Sequence, residues 1–170
     1  VGMKAPAIKV DTWVKGAEVK SFDKGHVYVV EFWATWCGPC KASIPHLTDF
    51  QKKNKDHVTL ISVAASERKP KEGETDNRLP NLQKFVADQG DKMGYTIAYD
   101  GDREMSNDWM KAAGQQFIPT AFVVDGEGKL AWVGTVGDDK GKKGMEEAVE
   151  KSVKALDKAT NPKKNENKGG

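Results

Sequence analysis

The sequence predicts an α/β fold, a central mixed β-sheet flanked by helices, and three observations carry that prediction. Residues 26–34 are almost continuously apolar, with Val27, Tyr28, Val29, Val30, Phe32 and Trp33, as expected of a strand covered on both faces. Over residues 40–54 the apolar positions Ile44, Leu47 and Phe50 recur at helical spacing. Residues 57–65, "HVTLISVAA", form a second apolar run. Strand, helix and strand in that order imply a parallel crossover, because parallel neighbours need a long connection.

The remaining elements follow along the chain. Residues 8–24 alternate apolar and polar around Lys15-Gly16 and predict an N-terminal β-hairpin. Pro45 predicts a kink in the first helix. Residues 66–78, "SERKPKEGETDNR", hold no aliphatic or aromatic side chain and are a candidate mobile surface loop rather than a domain linker. Leu82, Phe85 and Val86 predict a helix over 79–89, and residues 95–99 a short strand, an inserted helix-strand unit. A helix over 102–115 would end near Gly114, with Met105, Trp109, Met110 and Ala113 on one face. "PTAFVVDGEGKLAWVGTVG" predicts two strands joined at Gly126-Glu127-Gly128, and a last helix over about 143–156 would turn Met145, Ala148, Val149, Val153 and Leu156 inward.

A length of 170 residues with 38% apolar content suits one domain, expected over 1–159, followed by a disordered polar tail over 160–170. A formal charge of +2, from 27 basic and 25 acidic side chains, directs the protein to neither nucleic acid nor an anionic membrane. No apolar run approaches the roughly 18–20 residues that span a bilayer, so the chain is expected to be soluble. A start at Val1 is compatible with a removed leader.

Both cysteines lie in "ATWCGPCKAS", residues 34–43, separated only by Gly38 and Pro39. A disulfide stabilises by closing a long loop in the unfolded chain, and two intervening residues close almost nothing, so chemistry or metal binding remains. A strand ending near Ala34 and a helix beginning in "CGPCK" put Cys37 at a helix N-terminus, where free N–H groups favour a thiolate. Cys40 falls on the same face of the first turn, close enough for an unstrained disulfide. Tryptophan and Pro39 would shield Cys40 and leave Cys37 at the surface. A structural zinc site would need four ligands, and His26, His46 and His57 stand at no ligand spacing from one another. Two incidental core cysteines are the remaining alternative.

"VVEFWATWCGPCKASIPHL" resembles the active-site strand and helix of thioredoxin-like proteins, including Lys41 and Pro45, and "FIPTAFVVDGEGKLAWVGTVG" resembles their second signature. The hairpin and the inserted helix-strand unit resemble the TlpA/ResA-like branch, over roughly residues 5–157. The resemblance implies a thioredoxin fold and a thiol–disulfide oxidoreductase in which Cys37 attacks a substrate disulfide and Cys40 resolves the mixed disulfide. It implies that Pro119 is in cis opposite the pair, and that the Ile118 backbone pairs with substrate. Trp36, Gly38, Pro39 and Gly137 would line the same groove. Glu31 matches a buried acid that serves the inner cysteine; otherwise it is an edge-facing surface glutamate, and the strand 57–65 lacks the lysine found beside that acid in many thioredoxins.

The implied protein needs no cofactor and no metal. Its implied partners are disulfide-bonded protein substrates and an upstream electron-donor thiol protein, and a monomer is expected. Gly-Pro between the cysteines resembles the reducing members, so the expected direction is reduction. The branch is mostly exported and membrane-tethered, facing the periplasm, with a cytoplasmic location as the alternative. Two other functions compete. A peroxiredoxin-like peroxide reductase needs P-x-x-x-T-x-x-C, and Ala34 stands three residues before Cys37. Intact cysteines argue against a non-catalytic interaction module, and copper chaperones of this fold use three residues between their cysteines plus a downstream histidine, a pattern missing here.

Overall fold

All seven residues of strand β2 (Val27–Trp33) are buried, Glu31 among them. A strand covered on both faces must also satisfy its backbone on both edges. It pairs in parallel with β3 (Val58–Ala64) and antiparallel with β5 (Thr120–Val124). In the computed structural model, which describes residues 1–160, six strands form one mixed sheet in the order β1-β4-β3-β2-β5-β6. The outer members are β1 (Thr12–Lys15) and β4 (Thr96–Tyr99) on one side and β6 (Leu130–Thr135) on the other. Helices α1 (Gly38–Ala42) and α2 (Ile44–Asn54) return the chain from β2 to β3, and α3 (Arg78–Gln89) returns it from β3 to β4.

The sheet separates two apolar layers. On one face Val27, Val29 and Trp33 of β2 pack with Cys37, Cys40, Leu47, Phe50, Leu82 and Val86, and with Met145 and Val149 of α4 (Asp139–Thr160). On the other, Tyr28, Val30 and Phe32 pack with Met105, Trp109 and Phe122. This alternation places Glu31 on the same face as the cysteines. The inward residues expected of the last helix are in place, with Met145 and Val149 buried and Ala148, Val153 and Leu156 packed around them. That helix begins before residue 143, at Asp139, because Asp138 accepts the Gly141 N–H at 2.7 Å and caps it. No side chain fits at Gly141, where a Cβ would collide with the Thr135 backbone.

Two expectations are corrected. The N-terminal hairpin does not form: β1 pairs across the sheet with β4, and residues 17–24 form no strand. Their alternation instead seats Val19 and Phe22 on the second core, Phe22 lying 5.0 Å from Tyr28 and 5.8 Å from Trp109 between ring centroids. The helix expected over 102–115 is mostly a π-helical turn, Ser106–Lys111, with bonds such as Ala112 N–H to Asn107 O and Gln115 N–H to Met110 O. That wider turn brings Met105 and Met110, five positions apart, onto one buried side and leaves Ala113 exposed. Asp100 starts it by accepting the N–H groups of Glu104, Met105 and Ser106. The kink expected from Pro45 is present: the helix breaks at Ser43, because the missing N–H of Pro45 cannot bond back across the preceding turn.

The polar tail lies outside the described residues except for Thr160, which closes α4. Among the described residues no helix is long and apolar enough to cross a membrane.

Phe122 is fully buried between Phe32 and Trp109. Truncating it in Phe122→Ala should cost about 3–5 kcal/mol of unfolding free energy, read from the shift of the urea midpoint.

Candidate active site

β2 runs out of sheet at Trp33, and the chain turns at Ala34-Thr35-Trp36 before entering α1. The Cys37 N–H donates to Ala34 O at 3.2 Å and closes that turn. Cys37 is the N-cap of α1, with Pro39 in the first turn, and its Sγ accepts the Cys40 N–H at 3.2 Å. A disulfide joins Cys37 and Cys40, with Cα atoms 5.2 Å apart. The same N–H groups that approach Sγ here stabilise a sulfur anion once the bond opens.

Two other segments close on the pair. The Ile118–Pro119 bond is cis, and the Ile118 carbonyl oxygen lies 3.8 Å from Cys37 Sγ. Pro119 O accepts the Val136 N–H at 2.9 Å, while Ser43 Oγ bonds Pro39 O at 3.1 Å and Val136 O at 3.4 Å. Gly137 follows directly, and a Cβ there would stand within 3.8 Å of both Pro119 and Pro39. Cys37, Cys40, Pro39, Ile118, Pro119 and Gly137 are thus drawn together from three parts of the chain.

Cys37 is not at the surface in the disulfide form. It is 4% exposed against 1% for Cys40, because it sits in the floor of this junction. Exposure belongs to the neighbours: Trp36 and Phe117, which precede Cys37 and Ile118, are 47% and 73% exposed. Gly38 is also open, with no atom near its missing Cβ.

Glu31 is buried, not edge-facing, and strand alternation puts it on the face of β2 whose Val29 and Trp33 pack in the layer that holds the cysteines. Its strand neighbours are Ser62 on β3 and Ala121 on β5, and the Ser62 hydroxyl donates to its Oε2. Burial raises its pKa to about 7, and the Ser62 hydrogen bond opposes that rise only in part. Nearby Tyr95 is pushed upward in turn, first by burial and then by the charge on Glu31. Ser62, from the strand noted to lack a lysine, is the side chain that bonds Glu31. Thr59 also breaks the apolar run of β3, so a hydroxyl in that run does not by itself single out Ser62.

Sequence reasoning also missed Ser66 and Glu67, which lie in a stretch read as a surface loop. Trp36 Nε1 donates to Ser66 O at 2.8 Å, and Thr35 donates its N–H and its hydroxyl to the two Glu67 carboxylate oxygens, each at 2.8 Å. A charged residue in a polar loop carries no hydropathy signal that it is buried.

Comparison with known proteins shows the family and the fold. The Redoxin family model matches residues 1–151. The chain is 34% identical over 135 residues to Protein FixW of Rhizobium leguminosarum, covering 79% of this chain and 60% of that one. It is 30% identical over 153 residues to the thiol-disulfide oxidoreductase ResA of Bacillus thuringiensis, covering 89% and 78%. The fold matches a solved structure described as a putative protein disulfide isomerase from Bacteroides thetaiotaomicron with a TM-score of 0.70, covering 91% and 90%, and at 22% identity that match speaks for the fold alone.

A raised carboxyl pKa means that the folded state holds the proton more tightly than the unfolded chain. Stability is then greatest below the ordinary value of 4.5 and falls as pH rises towards about 7. The loss across that window should be about 3 kcal/mol, and Glu31→Gln should abolish it, measured by urea unfolding of the oxidised protein at stepped pH.

Proposed function

This chain belongs to the Redoxin family, among its ResA-like thiol–disulfide oxidoreductases, and from that premise we propose that it reduces protein disulfides through Cys37 and Cys40. The observation that carries the reading is the Cys37–Cys40 disulfide at the start of α1, with the Cys40 N–H on Cys37 Sγ. Its substrates are proteins bearing thiols or disulfides. In the reduced enzyme the Cys37 thiolate attacks one sulfur of a substrate disulfide. That S–S bond breaks, a mixed disulfide forms, and the leaving substrate sulfur takes up a proton. Cys40, giving up its proton, attacks Cys37 Sγ and expels the second substrate thiol. Two electrons have passed to the substrate, and the enzyme disulfide is restored.

Glu31 is the group we assign to receive the Cys40 proton, on its burial on the cysteine-bearing face of β2 and a pKa of about 7. Ile118 offers its backbone to the substrate chain beside Pro119, while Trp36, Gly38, Pro39 and Gly137 line the approach. The Gly-Pro dipeptide favours reduction as the physiological direction. A second thiol protein must then return two electrons to the disulfide. The absence of any cysteine beyond the pair suits an oxidising compartment, which supports an exported, periplasm-facing location for a monomeric protein, tethered or free.

In reduced protein, Cys37 should alkylate faster than an ordinary exposed thiol. Cys37→Ser should lose disulfide reduction altogether, and Cys40→Ser should accumulate the mixed disulfide with a disulfide-bonded test protein. Continued turnover by Cys40→Ser would overturn the two-cysteine scheme. In Glu31→Gln, release from the mixed disulfide should slow by about 10²-fold or more and lose its titration near pH 7; an unchanged pH profile would remove Glu31 from the scheme.

A further inference from the structure

The segment that leaves β3 does more than cover the active-site turn. Glu67 is 8% exposed, and both its carboxylate oxygens are spent on Thr35, one on the N–H and one on the hydroxyl, each at 2.8 Å. The charged and titratable groups around it point elsewhere or are neutral. Arg103 Nη2 donates to the Glu67 backbone carbonyl at 3.3 Å, and the Arg68 guanidinium lies over the Trp36 ring at 5.3 Å. Tyr99 on β4 also feels the charge on Glu67, and Glu31 is buried on β2. A carboxylate is thereby fixed two residues before Cys37, with no side-chain cation clamped onto its oxygens among the described residues.

We propose that Glu67 is a positioning residue that disfavours the Cys37 thiolate through its fixed charge and so makes the Cys37–Cys40 couple more reducing. The inference rests on the oxidoreductase reading above and deepens it. Successive Cα atoms are about 3.8 Å apart, so a carboxylate bonded to Thr35 lies within roughly 10 Å of Cys37 Sγ. At an effective dielectric of about 20, one charge at that distance moves a titration by roughly one pH unit. The same bonds keep the Thr35 N–H and hydroxyl from turning towards a sulfur anion. A reduced pair with a less stable thiolate gives up its two electrons and two protons more readily to a substrate disulfide, which becomes two thiols.

The test is the thiolate titration of Cys37, followed by ultraviolet absorbance and by the pH dependence of its alkylation, beside the equilibrium constant with glutathione. Glu67→Gln should titrate about half to one unit lower, a change of roughly three- to tenfold in the thiolate equilibrium. Its glutathione equilibrium should move towards the dithiol by a similar factor. Glu67→Ala should move in the same direction, which keeps the test open if the glutamine variant does not fold. Glu67→Asp, which keeps the charge, should stay near wild type. Unmoved titrations in the glutamine and alanine variants would overturn the proposal, as would an aspartate variant that shifts as far as glutamine. Normal disulfide reduction by wild type together with unmoved titrations would overturn the role of Glu67 alone; a wild type that reduces no disulfide would overturn the oxidoreductase reading and this role with it.

Discussion

Every part of the site hangs on the burial of β2. With β3 on one edge, β5 on the other and apolar layers on both faces, the strand has no route to solvent until it passes Trp33. The chain must turn where the sheet ends, and the helix that begins there starts on Cys37. The same burial makes Glu31 expensive to ionise, so a carboxyl that would be a plain anion on a surface becomes a group that exchanges its proton near neutrality.

Opposing electrostatic influences meet at the two sulfurs. The N–H groups opening α1 favour an anion on Cys37. In the role proposed for it, the Glu67 carboxylate bonded to Thr35 opposes that effect. Because α1 spans only Gly38–Ala42 before the break at Ser43, the favourable effect comes from a few local N–H groups rather than from a long helix. The reactivity of the pair is then open to adjustment by single side chains around it. Ser62 moderates Glu31 from the neighbouring strand, and Thr35 holds Glu67 in position.

Much of the fold was legible because burial and periodicity coincide. Residues 26–34 and 57–65 are apolar runs that became β2 and β3, the two strands read on either side of Gly126-Glu127-Gly128 became β5 and β6, and the Ile44, Leu47 and Phe50 spacing became the buried stripe of α2. Where alternation served another purpose, the reading failed: Val19 and Phe22 face the second core without belonging to a strand. The Met105 to Met110 spacing likewise fits an α-helical stripe poorly, and the π-helical turn resolves it by adding a residue per turn.

The sequence by itself determined the redox pair, the strand that delivers it and the family, because two cysteines across Gly-Pro after an apolar strand are local facts that survive without neighbours. Only the tertiary structure decided what stands around the sulfurs. Ile118 and Gly137 arrive from 81 and 100 residues away in the chain, and Ser62 and Glu67 from a strand and a loop whose composition marks neither as a partner of the site. Hydrogen bonds and fixed charges act through space at a few ångströms, and that proximity is created by the sheet register and the loop path, which no local pattern of residue types records.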